Sequence, residues 1–310
     1  MFPPDKRARG WAVLVKVLEI LTAVLTHGIW LAVVIPIVAE GWATRPPIWP
    51  AHQFNPLTEL GLAYEDTAFE AADGLTLRGW FIPAASANAP AIVYAHGAGR
   101  DQRSGLSIVP ALHQAGYSVL LFSYRDHGCS DGDGRGITYG YHESQDVDSA
   151  VRFLCQVKQA SHVGVIGYSV GGSSVLLSAA RNPDIEAVVA VAPFADAMEI
   201  WMANRPAFLP HAVLNWMRMV VEWRKGISLA AVRLTDWIRQ IAPRPLLLIQ
   251  GSRDERIPLV QVQQLFAAAG QPKDLWLIEG ETHESIYTRG LEARLTEVTA
   301  IFDEAFRSED

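Results

Sequence analysis

No run of five basic residues occurs anywhere in this sequence, and its 26 Lys and Arg are outnumbered by 33 Asp and Glu, giving a formal net charge of −7. That balance excludes a protein built to grip a phosphate backbone, so nucleic acid is not an expected partner. Cysteine is nearly absent as well. Only Cys129 and Cys155 occur, in no C-x-x-C or Cys/His pattern, so no zinc site is expected. They read as small side chains, with one disulfide open to them in an oxidising compartment. No internal repeat or low-complexity tract stands out.

Charge is missing altogether from Ile20 to Ala39, ILTAVLTHGIWLAVVIPIVA. Twenty residues at a rise of about 1.5 Å cover about 30 Å, the thickness of a bilayer's hydrocarbon core. Lys6, Arg7, Arg9 and Lys16 precede the run, whereas Arg45 is the only Lys or Arg between Lys16 and Arg78. The positive-inside rule then puts the N-terminus in the cytoplasm and the bulk of the chain on the exoplasmic side, periplasmic or extracellular. Trp11, Trp42 and Trp49 flank the run as interfacial anchors, and Pro46, Pro47 and Pro50 follow as a stiff spacer.

Two other readings compete with the anchor. Gly41 and Ala43 are small at the spacing of a signal-peptide cleavage site, but the run exceeds the usual apolar region of about 7–15 residues. Alternatively, Glu19, His27 and Pro36 mark a helix buried against protein. The expected organisation is a cytoplasmic N-terminus and transmembrane anchor over 1–43, a Pro-rich linker over 44–61 and a catalytic domain over 62–310.

Half of the 310 residues are apolar, enough for one large domain with its own core. YEDTAFEA and LTLRGWFIPA flank Ala72-Asp73-Gly74, a hairpin signal. Further strands are expected at 91–95, 117–124, 162–168, 185–192, 245–251 and 274–280, nearly all apolar, as parallel strands buried on both faces should be. Helices are expected near 104–115, 142–158, 170–181, 258–269 and 284–306. Repeated βα units predict an α/β fold with a mostly parallel, doubly wound sheet.

GYSVGG, residues 167–172, sits where the strand HVGVIGY meets a helix. A serine nucleophile on a strained turn needs that junction: small neighbours let strand and helix approach, and the helix start aims N–H groups at a developing oxyanion. Ser169 is the expected nucleophile. Its base must emerge from the same sheet edge, and His283 does, in GETHES after the strand DLWLIEG. His27, His52, His113, His142 and His162 lie in the membrane run, the linker, surface helices or a strand start. Asp254 in GSRDERIP, just past PLLLIQG, is the expected acid, with Asp196 in APFADA as the alternative. The order Ser169, Asp254, His283 suits this connectivity.

With HGAG, YRDHGCSDG, GYSVGG, GSRDERIP and ETHES in this order and spacing, the chain resembles the α/β-hydrolase superfamily over about 62–307. Within it the anchor and YRDHGCSDG resemble the single-pass, bud-emergence-homologue branch, which includes depalmitoylating hydrolases and grades into dipeptidyl aminopeptidase and acylaminoacyl-peptidase relatives. The resemblance implies an oxyanion hole from the N–H groups of Ala98 and Val170. His96 is then a loop-fixing residue, and Arg125 and Asp126 brace the same loop.

An insertion over 194–240 holds four of the five methionines and four of the ten tryptophans, and reads as a helical cap. Met198, Trp201, Met217 and Met219 are its candidate substrate-binding residues, weighed against simple packing on the domain. The expected function is a membrane-anchored serine hydrolase of carboxylic esters or thioesters, needing no metal and no organic cofactor. Its substrate would be a small acyl ester or an acylated, lipid-like molecule. A serine peptidase of the aminopeptidase or acylaminoacyl-peptidase type uses the same machinery, and a non-catalytic membrane scaffold is the reading from another class.

Overall fold

The computed structural model describes residues 6–44, 54–203 and 210–307. Arg45, Pro46, Pro47, Trp49, Pro50 and His52 of the expected linker fall outside the described residues.

The chain opens with a long helix, α1 (Lys6–Thr44), which carries one stretch long and apolar enough to cross a membrane, Leu14–Val38, with a mean hydropathy of 2.1. The threonines and the histidine within it turn back onto the helix. Thr22 Oγ donates to the Leu18 carbonyl at 2.7 Å, Thr26 Oγ to Thr22 at 2.7 Å, and His27 Nδ1 lies 2.7 Å from the Ala23 carbonyl. Such self-satisfied groups leave little for water to bond. The end of the linker is not an extended spacer but a short helix, α2 (Pro56–Leu60). Asn55 caps it from the Leu57 and Thr58 N–H groups, and Pro56 supplies a first-turn residue that needs no N–H partner.

The hairpin β1 (Glu65–Glu70) and β2 (Thr76–Ile82) closes through a turn in which Gly74 N–H donates to the Ala71 carbonyl at 3.0 Å. There follow β3 (Ala91–Ala95), a 3-10 segment (Gln102–Ile108) running into α3 (Val109–Gln114), and β4 (Ser118–Ser123). Next come α4 (Tyr141–Gln156), β5 (Val163–Tyr168), α5 (Val170–Ala179) and β6 (Ala187–Val191). The insertion contributes α6 (Ala197–Ala203), α7 (His211–Lys225) and three short 3-10 turns. The chain finishes with β7 (Leu246–Gly251), α8 (Leu259–Ala268), β8 (Lys273–Ile278), the single turn α9 (His283–Ser285) and α10 (Leu295–Arg307).

The eight strands form one sheet in the order β1-β2-β4-β3-β5-β6-β7-β8, parallel from β4 to β8, with β2 antiparallel to both neighbours. The central strands β3 to β7 are buried along their whole length and read as nearly unbroken apolar runs because helices cover both faces, whereas the edge strands β1 and β8 are partly exposed. Val93, Leu120, Val165, Val188 and Leu248 face one core layer with α4, α5 and α8, and Ile92, Val119, Ile166, Val189 and Leu247 face the other with α3 and α10. From β3 the chain goes to β4 on one side and then crosses to β5 on the other. The carboxyl ends of β3 and β5 therefore diverge at a switch point, where an open α/β sheet presents a crevice. Cys129 is exposed, Cys155 is partly buried, and both are free thiols.

Candidate active site

Ser169 stands at that switch point, between β5 and α5, with φ 56° and ψ −119°. A serine tolerates this backbone only when its surroundings over-determine it. Here they do: Ser169 N–H donates to the Val191 carbonyl at 2.8 Å and its carbonyl accepts from Ser173 N–H at 3.0 Å. The turn also needs its glycines. A Cβ on Gly167 would lie 2.2 Å from the Gly171 carbonyl oxygen, and one on Gly171 would lie 2.1 Å from the Ala95 carbonyl oxygen. The sequence G-Y-S-V-G is thus a packing requirement of a strand and helix pressed together.

His283 and Asp254 arrive from the loops after β8 and β7. His283 Nε2 lies 3.0 Å from Ser169 Oγ, and His283 Nδ1 lies 2.8 Å from Asp254 Oδ2. Since a carboxylate only accepts, Nδ1 carries the ring proton and Nε2 is free to accept from the serine hydroxyl. The Asp254 side chain is wholly buried and that of His283 is 7% exposed. The carboxylate is fully employed: Oδ1 accepts from the Arg256 and Ile257 N–H groups at 2.9 and 2.8 Å, and Oδ2 from Gln250 Nε2 at 3.1 Å. Tyr168 Oη donates to the His283 carbonyl at 2.8 Å, holding the loop that carries the imidazole. Gln250 and Tyr168 escape the sequence reading, although Gln250 announces itself as the one polar residue inside the apolar run LLLIQG.

Asp196, the alternative acid, does not meet His283. Its Oδ2 accepts from Arg233 Nε at 3.0 Å and its Oδ1 caps the start of α6 through the Met198 and Glu199 N–H groups. Val170 opens α5 directly after the serine, and Ala98 lies in the loop after β3. The N–H of neither enters a hydrogen bond among the described residues, leaving both for a ligand.

His96 is buried behind that loop. Its Nδ1 donates to the Gly97 carbonyl at 2.9 Å and its Nε2 accepts from Tyr124 N–H at 3.2 Å, so both nitrogens of a neutral ring tie β3's loop to β4's. Burial, and after it the nearby His127, pushes its pKa down to about 3, against the Gly97 hydrogen bond and Asp101. In the unfolded chain the same ring takes a proton near pH 6.5. Stability is therefore present above that pH and lost as pH falls from there towards 3. By pH 5 the expected loss from this group is about 2 kcal/mol. Urea unfolding at pH 7 and pH 5 checks it: His96→Gln should shrink the difference between the two pH values by that amount, and an unchanged difference would clear His96 of the effect.

Arg125 and Asp126 do not brace the HGAG loop as expected; each holds a different segment. Arg125 pairs with buried Asp146 and with Asp73 of the hairpin turn, while Asp126 accepts from the Gly134 and Gly136 N–H groups at 2.9 and 2.8 Å. The four cap residues do not share one surface. Met198 and Trp201 on α6 pack against the core, with Trp201 edge-on to Tyr139 at 6.3 Å, Met217 is half-buried on α7, and Met219 points outward.

A Ser-His-Asp line at the carboxyl edge of a mostly parallel, helix-covered sheet with a helical insertion after β6 defines an α/β protein of hydrolase architecture. The chain belongs to the α/β-hydrolase superfamily. The family model described as Serine aminopeptidase, S33 (Hydrolase_4) matches residues 86–229, a range that holds the HGAG loop and Ser169. The polyketide transferase ATR5 of Stachybotrys chlorohalonatus is 34% identical over 266 residues, covering 71% of this chain and 89% of that protein. The polyketide transferase grgF of a Penicillium species is 24% identical over 287 residues, covering 76% and 97%. Among solved structures, the Pyrococcus furiosus esterase Pf2001 superposes with a TM-score of 0.69 at 22% identity, covering 85% of this chain and 98% of that one.

Proposed function

We propose that this protein is a membrane-anchored serine hydrolase acting on carboxylic esters or thioesters. The observation that carries the reading is the continuous line from Ser169 Oγ through His283 to Asp254, with links of 3.0 and 2.8 Å, on a strained turn beside two unused N–H groups. His283 Nε2 takes the hydroxyl proton as Ser169 Oγ bonds to the substrate's carbonyl carbon. The N–H groups of Val170 and Ala98 hold the oxyanion, and Asp254 stabilises the imidazolium through Nδ1. The imidazolium then gives its proton to the departing alcohol or thiol. A water, deprotonated by the same nitrogen, releases the acid and restores the serine.

The anchor is α1. Only 6% of its Leu14–Val38 stretch is buried, and Lys6, Arg7 and Arg9 precede that stretch with Lys16 in its first turn, which supports a cytoplasmic N-terminus and an exoplasmic catalytic domain. The match to a family described as serine aminopeptidases favours a peptidase as the second reading, with the same residues in the same roles.

The full chain in detergent should react with a fluorophosphonate probe, and the adduct should map to the peptide containing Ser169. A panel of acyl esters, acyl thioesters and aminoacyl anilides then separates the two readings. No labelling at Ser169 by a folded protein would sink both and leave the non-catalytic scaffold.

A further inference from the structure

The helix α7 is packed inside out. Its charged residues face the protein: Arg218 pairs with Glu222, Glu222 Oε1 accepts from Leu229 N–H at 2.8 Å, Arg224 Nη2 donates to the Gly134 carbonyl at 2.6 Å, and Lys225 Nζ donates to the Arg135 carbonyl at 2.6 Å from a fully buried position. The outward arc is mostly apolar instead, with His211 and Asn215 its exposed polar residues. Ala212, Trp216, Met219 and Trp223, spaced i, i+4, i+7 and i+11, share one stripe. Trp216, Met219 and Trp223 are 46%, 54% and 76% exposed. A soluble cap would have the opposite polarity.

What covers this stripe is indicated by its neighbour. α7 lies against the C-terminal part of α1, where Ala32, Val33, Val34, Pro36 and Ile37 are partly or wholly covered. Trp216 Nε1 donates to the Ala32 carbonyl at 2.9 Å. Ala32 lies inside the Leu14–Val38 span, six residues before its end, which is about 9 Å along a helix. Interfacial amphipathic helices sink about 5–10 Å into the headgroup and acyl boundary. Whatever medium surrounds the exposed Ile29, Trp30 and Ile35 of α1 therefore reaches α7 as well, and tryptophan is the residue that favours this depth.

We propose that α7 is a second membrane contact: it lies in the outer interface of the bilayer that α1 crosses, with the Ala212, Trp216, Met219 and Trp223 stripe turned to lipid. The inference rests on the anchored reading of α1. The catalytic domain is then held to the membrane at two points, its cap resting on the acyl phase rather than swinging on the linker.

The test uses the full chain in phosphatidylcholine vesicles, with Cys129→Ser removing the exposed thiol. Burial raises the pKa of the remaining Cys155 and so slows its labelling. An environment-sensitive fluorophore goes on Trp223→Cys or Ala212→Cys, and on Val157→Cys as a control at the exposed end of α4. The expected result is a blue-shifted emission at 223 and 212 that is quenched by nitroxide-labelled acyl chains and spared by iodide, with the reverse at 157. Equal iodide quenching at all three sites, in a chain that stays on the vesicles through an alkaline carbonate wash, overturns the lipid contact while leaving the anchor standing. Shielding at 223 from both quenchers, with crosslinking between copies, overturns it in favour of a dimer. Loss of the chain from the vesicles in the wash overturns the anchored reading itself, and the inference with it.

Discussion

Ser169→Ala and His283→Ala should each lower ester hydrolysis by about 10⁵- to 10⁶-fold, and combining them should cost little more, because nucleophile and base act as one unit. Asp254→Asn should cost about 10⁴-fold for a reason visible in the hydrogen bonds. Asparagine Oδ1 can keep the bonds from the Arg256 and Ile257 N–H groups, at 2.9 and 2.8 Å. Its amide nitrogen then faces His283 Nδ1. Two donors cannot meet, so the ring takes the other tautomer and Nε2 no longer accepts from Ser169. Asp196→Asn should cost less than about tenfold, since that carboxylate pairs with Arg233 and caps α6. Steady-state rates on a soluble acyl ester, with thermal unfolding to confirm that each variant is folded, check the series. Collapse in Asp196→Asn with near-normal Asp254→Asn would move the acid one strand earlier.

The parts of this site that could be read from the sequence share a physical cause. Strands buried on both faces must be nearly pure apolar runs, so β3 to β7 can be located to within a residue or two, and with them the loops from which Ser169 and Asp254 emerge; the loop of His283 follows the half-exposed edge strand β8. Chain order does the rest. Gln250 and Tyr168 could not be assigned this way, because what they touch depends on how β7 and β5 lie beside the histidine loop, and no local pattern encodes it.

Other elements differ from expectation for local reasons. The helix expected over 104–115 is a 3-10 segment that becomes α3 only at Val109, where Pro110 in the first turn suits a new start rather than a helix interior. The single helix expected over 284–306 is broken into α9, a π-type turn over Ile286–Leu291, a 3-10 turn and α10. Gly290 is a weak helix former inside that turn, and Tyr287 is held by packing on Tyr94 and by donating to the Ser104 carbonyl at 2.5 Å. Tertiary contacts decide where local propensity is weak. For α7 the structure alone reveals that the charged arc faces inward and the apolar one outward.

The other large effect is on stability and concerns Arg125, which is 1% exposed. Its Nε lies 3.1 Å from both oxygens of the fully buried Asp146, its Nη2 lies 2.6 Å from Oδ1, and its Nη1 lies 2.7 Å from Asp73 on the hairpin turn. Burial opposes the guanidinium charge, and these hydrogen bonds overcome it, so its pKa sits above the ordinary arginine value. Breaking such a pair from one side costs about 3–5 kcal/mol, because the survivor is left buried without its counter-charge. The two sides should nonetheless differ. In Asp146→Asn the guanidinium cannot discharge, and the variant also lacks the carboxyl whose raised folded pKa favours the folded state at low pH, so the loss should be larger at pH 5 than at pH 8. In Arg125→Met the carboxyl can take up a proton: burial already lifts Asp146 to about 6 against the pull of Arg125, and without that pull it rises further. A carboxyl whose folded pKa lies above its unfolded one favours the folded state at low pH and loses that advantage as pH rises through the folded value. Arg125→Met should therefore be closer to wild type at pH 5 than at pH 8, and Arg125→Met with Asp146→Leu should recover part of the stability at both, leaving exposed Asp73 and the buried Arg125 N–H, which donates to Asp146 Oδ2 at 3.1 Å, without their partners. Urea midpoints for the three variants at the two pH values decide it. A pH-independent loss in Arg125→Met would mean that water reaches Asp146 once the arginine is gone.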